Sequence, residues 1–306
     1  MHAVARSLSL LALGLGLAGG SLPASAQKHS DIENIGKRDI NKGSWNLYSL
    51  EREIELGQQL AREVRRNSRP LSDREVIRYV EELTQRLVRN SDARVPFTVR
   101  VIDSNEVNAV ALPGGYLYVN TGLILAAQSE AELAGILAHE IAHVTARHAV
   151  ERATKVTVLN WLTLPLIFIG GSAAYAAYQV LGIAVPLTFL KFSRNAEREA
   201  DFLGLQYSYK AGYDPVAMID FLERLKQGAE SKVAGIFSSH PMTRDRIRRA
   251  EKAIAGVLPP QQEYVVTTSA FDQVQARLLA LAGWDSIYDT GKRSGPVLRR
   301  RTESNY

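Results

Sequence analysis

Residues Ala138-His139-Glu140-Ile141-Ala142-His143 form an H-E-x-x-H sequence. Two histidines four apart project from the same side of a helix, one turn above each other. Imidazoles placed that way can hold one metal ion, and the glutamate between them can take a proton from water. The reading depends on a helix. Ser129-Glu130-Ala131-Glu132 has the pattern of a capping box, and Leu133, Ile136, Leu137, Ile141 and Val144 recur at helical spacing. A helix is therefore predicted from Glu130 to about Arg152. Its middle is nearly all apolar except His139, Glu140 and His143, and a buried helix carries such side chains only when partners satisfy them.

Two histidines do not complete a catalytic metal site, which needs a third protein ligand and an open position. A third histidine six residues after His143 is excluded, because Ala149 stands there. His148, at five residues, is predicted to turn away from the ligand face and to be structural or exposed. Ser193 to Gly212 reads as a later helix capped by Ser193, with Glu197 and Asp201 one turn apart. Glu197 is the best candidate for the third ligand, and Asp201 can accept the N–H of a ligand histidine. Glu199 faces elsewhere, as solvent or salt-bridge material.

The rest of the chain frames this pair of helices. Met1 to Ala26 reads as a secretory signal, with Arg6, an apolar run from Leu8 to Ala18 and Ala24-Ser25-Ala26 before the cut. Residues 27–49 read as an extended arm. Two amphipathic helices follow: one carries Leu56, Leu60, Ala61 and Val64, and the other, boxed by Ser72 and Glu75, carries Val76, Tyr79, Val80, Leu83 and Leu87. Phe97 to Ile102 reads as a strand, and Asn108–Leu112 with Tyr116–Asn120 as a hairpin around Pro113-Gly114-Gly115. The hairpin either completes a sheet or offers an edge to an extended substrate, along Tyr116, Leu117, Tyr118, Val119 and Asn120. Residues 156–190 read as an apolar lid or membrane-facing hairpin, broken by Pro165, Gly170-Gly171, Gly182 and Pro186 into pieces short for spanning. After Asp214-Pro215 come an apolar helix, a Ser238-Ser239-His240-Pro241 loop, and a helix whose basic run from Arg244 to Lys252 reads as a solvated face. A short strand at Tyr264–Val266 and an amphipathic helix at Phe271–Leu281 close the domain, 50–282, and 283–306 reads as a disordered basic tail.

Composition narrows the function. The chain has 46% hydrophobic and 23% charged residues, which places it among ordinary globular proteins. Part of its +5 net charge is local to the tail, in Lys292, Arg293, Arg299, Arg300 and Arg301, so no nucleic-acid partner is expected. The absence of cysteine excludes disulfides, thiolate metal ligands, a thiol nucleophile and a lipid-bearing cysteine.

His139-Glu140-Ile141-Ala142-His143 together with Ser193-Arg194-Asn195-Ala196-Glu197-Arg198-Glu199-Ala200-Asp201 resembles the gluzincin metallopeptidases that include HtpX and the CAAX prenyl endopeptidases. Asn108–Thr121 and Ser238-Ser239-His240-Pro241 are also similar to that family, and the likeness runs from about Leu50 to Leu281. The resemblance implies an α+β, mostly helical fold with a small β-sheet packed beside the H-E-x-x-H helix. It also implies one Zn²⁺ per chain on His139, His143 and Glu197, with Glu140 as general base and Asp201 in support. It places His240 near the metal, either stabilising an oxyanion or serving as a fourth ligand. The export signal points to a soluble periplasmic branch, that of beta-barrel assembly-enhancing proteases, although their tetratricopeptide-repeat half is not in this sequence. The expected activity is endopeptidase cleavage of misfolded or unassembled envelope polypeptides, with membrane-surface or outer-membrane protein contact as a further expectation. A chaperone-like periplasmic binding protein that keeps the zinc site but rarely cleaves is the alternative.

Overall fold

The computed structural model describes residues 32–44, 46–155, 192–227, 240 and 243–282, with the backbone of 297–300. The expected leader, the uncharged span 156–190 and most of the basic tail lie outside the described residues. Helix α1 (Leu50–Asn67) and helix α2 (Arg74–Arg89) precede strands β1 (Thr98–Ile102), β2 (Ala109–Leu112) and β3 (Tyr116–Asn120). The short helix α3 (Thr121–Ala126) leads into α4 (Glu130–Thr145), which carries the H-E-x-x-H residues. Helices α5 (Arg194–Lys210), α6 (Ala217–Gln227) and α7 (Arg244–Val257), strand β4 (Glu263–Thr267), helix α8 (Ser269–Leu281) and strand β5 (Val297–Arg300) follow. The fold is thus mostly helical with a small three-stranded sheet, as the family likeness implies.

Every residue of α4 is buried. Its N-terminus is satisfied as predicted: Ser129 Oγ accepts the Glu132 N–H at 3.2 Å, while Glu132 reaches back to the Gln128 N–H at 2.6 Å. Helices α2, α5 and α6 and strand β2 surround α4. The approaches are close at two glycines. A Cβ on Gly204 of α5 would lie 3.0 Å from the His139 Cα, and one on Gly135 would lie 2.6 Å from the Met218 Cβ of α6. Only a residue without a side chain lets α5 pass directly over His139, and this brings Glu197 and Asp201, on the same face as Gly204, to the histidines.

The sheet has the order β1–β3–β2. β3 runs parallel to β1 and antiparallel to β2, so both of its edges are paired. This corrects the expectation that Tyr116, Leu117, Tyr118, Val119 and Asn120 offer an edge to a substrate: their backbone groups already serve two neighbours. β2 is the outer strand on the α4 side. The tight link between β2 and β3 has Gly114 at φ 73° and Gly115 at φ 87°. A Cβ on Gly57 of α1 would lie 1.8 Å from the Pro113 carbonyl oxygen, so α1 packs directly on that turn.

Four local expectations change. The cap of α2 is Asp73, which accepts from the Glu75 and Val76 N–H groups, and not Ser72. The arm is not extended over 32–44 but is a run of turns, with Ile35 and Ile40 buried in the main core and Arg38 paired with Asp92. Two isolated apolar residues anchor it, which leaves no period to read. Residues 297–300, inside the expected disordered tail, pair antiparallel with β4. Finally, α4 stops at Thr145: Arg147 adopts φ 56°, and a new helical segment occupies 148–155. Arg147 is held there by Glu53, whose Oε2 accepts its Nε–H at 2.6 Å, and by the Tyr48 carbonyl at 2.9 Å. Among the described residues, no helix is long and apolar enough to cross a membrane.

Candidate metal centre

Among the described residues, His139, His143, Glu197 and His240 form one group able to hold a metal ion. All four are buried, at 5%, 2%, 3% and 5% exposure, in a setting where unpaired polar atoms are costly. The His139 and His143 Nε2 atoms are 3.1 Å apart, and each lies 3.6 Å from a Glu197 carboxylate oxygen. His240 Nδ1 lies 3.3 Å from His139 Nε2 and 2.9 Å from Glu197 Oε1. Four donors, each about 2.0–2.1 Å from a central ion, sit about 3.3 Å apart in a tetrahedron. These five separations bracket that edge and all four ligand atoms lie within 4.8 Å of one another, a spacing compatible with one small ion held by nitrogen and oxygen.

Glu140 lies beside the group. Its Oε2 accepts the Ala111 N–H of β2 at 3.0 Å, and its Oε1 lies 3.3 Å from His240 Nε2. The sheet therefore fixes one carboxylate oxygen and leaves the other turned to the donors.

Behind the donors runs a chain of charge. His139 Nδ1 lies 3.1 Å from Asp201 Oδ1. Arg246 of α7 donates from Nε and Nη2 to both Asp201 oxygens at 2.7 and 2.6 Å, and its Nη1 lies 3.0 Å from Glu197 Oε2. Burial alone would raise the Asp201 carboxyl, but the Arg246 charge and hydrogen bonds, with those of His139, hold it well below the usual carboxylate range. Burial likewise works against the Glu197 carboxylate, and the hydrogen bond and charge of His240 outweigh it and lower its pKa. Burial, followed by the neighbouring histidines, pushes the His143 pKa well down and keeps that ring neutral, the form a ligand needs. Burial also disfavours the charged form of His240, yet Glu140 and Glu197 together raise its pKa.

Sequence reasoning singled out His139, Glu140, His143, Glu197, Asp201 and His240, and the fold brings all six together. It missed Arg246, which was read as part of a solvated basic face. The signal was present: Arg246, Ala250 and Ala253 lie on one helical face and are all buried. His148 was expected to point away. It is buried, and its Nδ1 lies 3.0 Å from His143 Nδ1, because the chain reverses at Arg147. Glu199, expected to face elsewhere, has Oε2 3.4 Å from His148 Nε2 and so stands behind the His148–His143 contact.

The sequence pattern of Peptidase family M48 matches residues 70–254. The chain is 33% identical over 245 residues to a putative beta-barrel assembly-enhancing protease of Vibrio cholerae, covering 77% of this chain and 50% of that protein. It is 28% identical over 253 residues to the beta-barrel assembly-enhancing protease of Escherichia coli, covering 79% and 51%. It is 31% identical over 180 residues to the mitochondrial metalloendopeptidase OMA1 of Schizosaccharomyces pombe, covering 57% and 52%. The chain spans about half the length of the curated relatives it matches.

Arg246→Met leaves two buried carboxylates without their cation. Metal-free protein carrying it should lose about 3–5 kcal/mol in denaturant unfolding. A loss below about 1 kcal/mol would show that Arg246 does not hold the two carboxylates together.

Proposed function

The chain belongs to peptidase family M48, and from that premise we propose that it is a zinc-dependent endopeptidase. The observation that carries the proposal is the meeting of three buried donors, on His139, His143 and Glu197, with a carboxylate held beside them. In this reading those three side chains hold one Zn²⁺, and Asp201 and Arg246 orient His139 and Glu197 from behind. When bound, the ion supplies Lewis acidity and lowers the pKa of water towards about 7. Glu140 takes the proton through Oε1, its other oxygen being held by Ala111, and then delivers it to the leaving amine.

Substrate backbone adds along the outer edge of β2. The Ala111 N–H points to Glu140, away from β3, and strand alternation turns Ala109 the same way. Among the described residues no strand pairs with that edge. An extended peptide lying there passes the carboxylate and the donor group together.

His240 is read as a fourth ligand that keeps the site latent. Its Nδ1 sits among the donors while its Nε2 faces Glu140, so it fills the space a reacting water needs. Cleavage then requires His240 to swing out. The natural substrates in this proposal are misfolded or unassembled envelope polypeptides, and the location is the periplasm. The export signal read in residues 1–26 supports the location, and the likeness to the beta-barrel assembly-enhancing proteases of Vibrio and Escherichia supports the substrate class.

Glu140→Gln should retain zinc and lose cleavage of an unfolded polypeptide by about 10²–10⁴-fold. Unchanged turnover would remove the enzyme reading and leave a zinc-holding binding protein.

His240→Ala should raise cleavage, on the order of tenfold if the open state is about a tenth populated, and weaken zinc retention against a chelator. A fall in cleavage with zinc retention unchanged would instead make His240 an oxyanion-stabilising residue.

A further inference from the structure

Each histidine of the H-E-x-x-H pair needs its Nδ1 satisfied if its Nε2 is to face a metal. For His139 the group facing Nδ1 is the Asp201 carboxylate, with Oδ1 at 3.1 Å. For His143 the structure supplies a different device. Its ring is stacked on Phe192, with centroids 4.0 Å apart and planes at 22°, and its Nδ1 meets His148 Nδ1 at 3.0 Å. His148 in turn presents Nε2 to Glu199 Oε2 at 3.4 Å.

The proton roles along this line are determined at both ends. A carboxylate only accepts, so the contact with Glu199 favours the His148 tautomer with its proton on Nε2. His148 Nδ1 is then a lone pair and accepts a proton from His143 Nδ1. His143 is left with a lone pair on Nε2, the atom 3.1 Å from His139 Nε2 and 3.6 Å from Glu197. The opposite tautomer of His143 would turn an N–H towards the metal and forfeit a ligand.

The backbone is committed to this arrangement. A continuous helix would carry position 148 away from the face of His143. Arg147 is the one non-glycine with positive φ among the described residues, and it stands directly before His148. That conformation is strained for a residue with a side chain and persists only where surrounding contacts hold it. Glu53 and Tyr48 of the α1 region provide those contacts.

We infer that His148 is a positioning residue for the metal centre: with Glu199 behind it, it fixes the tautomer and ring orientation of His143 so that Nε2 faces the ion. The inference rests on the proposed zinc reading. Its analogue on the other histidine is a single carboxylate; here a histidine–carboxylate pair spans the larger gap to Glu199.

The test uses the full chain and Zn²⁺ competition against a chromogenic chelator. His148→Asn keeps an acceptor close to the place of the ring Nδ1, and His148→Leu has nearly the same shape without one. Zinc affinity should fall about 10–100-fold in His148→Leu and stay within about threefold of wild type in His148→Asn. The metal-free unfolding midpoints of the two variants should match. Equal losses in both variants, or wild-type affinity in His148→Leu, would overturn the inference. If wild-type protein itself binds no zinc, the zinc reading falls and this inference with it. Histidine ¹⁵N NMR of the zinc-loaded wild type gives a readout that no variant has to fold for. His148 should carry its proton on Nε2 and His143 on Nδ1, and a His148 proton on Nδ1 would overturn the assignment.

Discussion

A helix buried along its whole length, carrying two histidines and a glutamate, is the constraint the rest of this fold answers. Hydrophobic contact alone cannot accommodate those three side chains, because desolvated polar atoms must find partners. The partners come from three separate parts of the chain. Strand β2 holds one oxygen of Glu140, α5 brings Glu197 and Asp201 to the histidines, and His240 faces both Glu140 and His139. Glycines at the crossings make this possible, since Gly204 lets α5 approach to the backbone of His139.

Arg246 links the parts electrically. Its guanidinium is planar and forked, which suits two carboxylates at once better than an ammonium would. One side of the fork engages Asp201 twice and the other reaches Glu197. Both carboxylates remain charged despite burial, Asp201 chiefly through Arg246 and Glu197 chiefly through His240 with His139 and Arg246 adding to it, and their oxygens stay available as acceptor and donor-set members. Such a pair of buried acids without its cation would be a source of instability.

Much of the fold was legible because its signals are local. The Ser129 and Ser193 caps, the periodic apolar residues of α2 and α4, and the turn at Pro113-Gly114-Gly115 all act within a few residues. Two pairs at the candidate metal centre, His139 with His143 and Glu197 with Asp201, were legible for the same reason, each lying one turn apart on its own helix, whereas His240 was reached only through the family resemblance. What was not legible depends on distant contacts. The parallel pairing of β1 with β3 makes β3 a central strand, and no local pattern in Tyr116–Asn120 reveals it. The reversal at Arg147 depends on Glu53, 94 positions away, so periodicity extended the helix too far and turned His148 outward. Arg246 sits in a run of basic residues whose other members are mostly solvated, and only its alignment with Ala250 and Ala253 sets it apart.

The central claim is that His139, His143, Glu197 and, in the resting state, His240 surround one zinc ion. X-ray absorption at the zinc edge of the zinc-loaded chain tests it most directly. The account predicts four nitrogen or oxygen neighbours at about 2.0–2.1 Å, with the outer-shell scattering of imidazole rings. A shell of six oxygens without imidazole scattering, or a protein that retains no zinc, would contradict it.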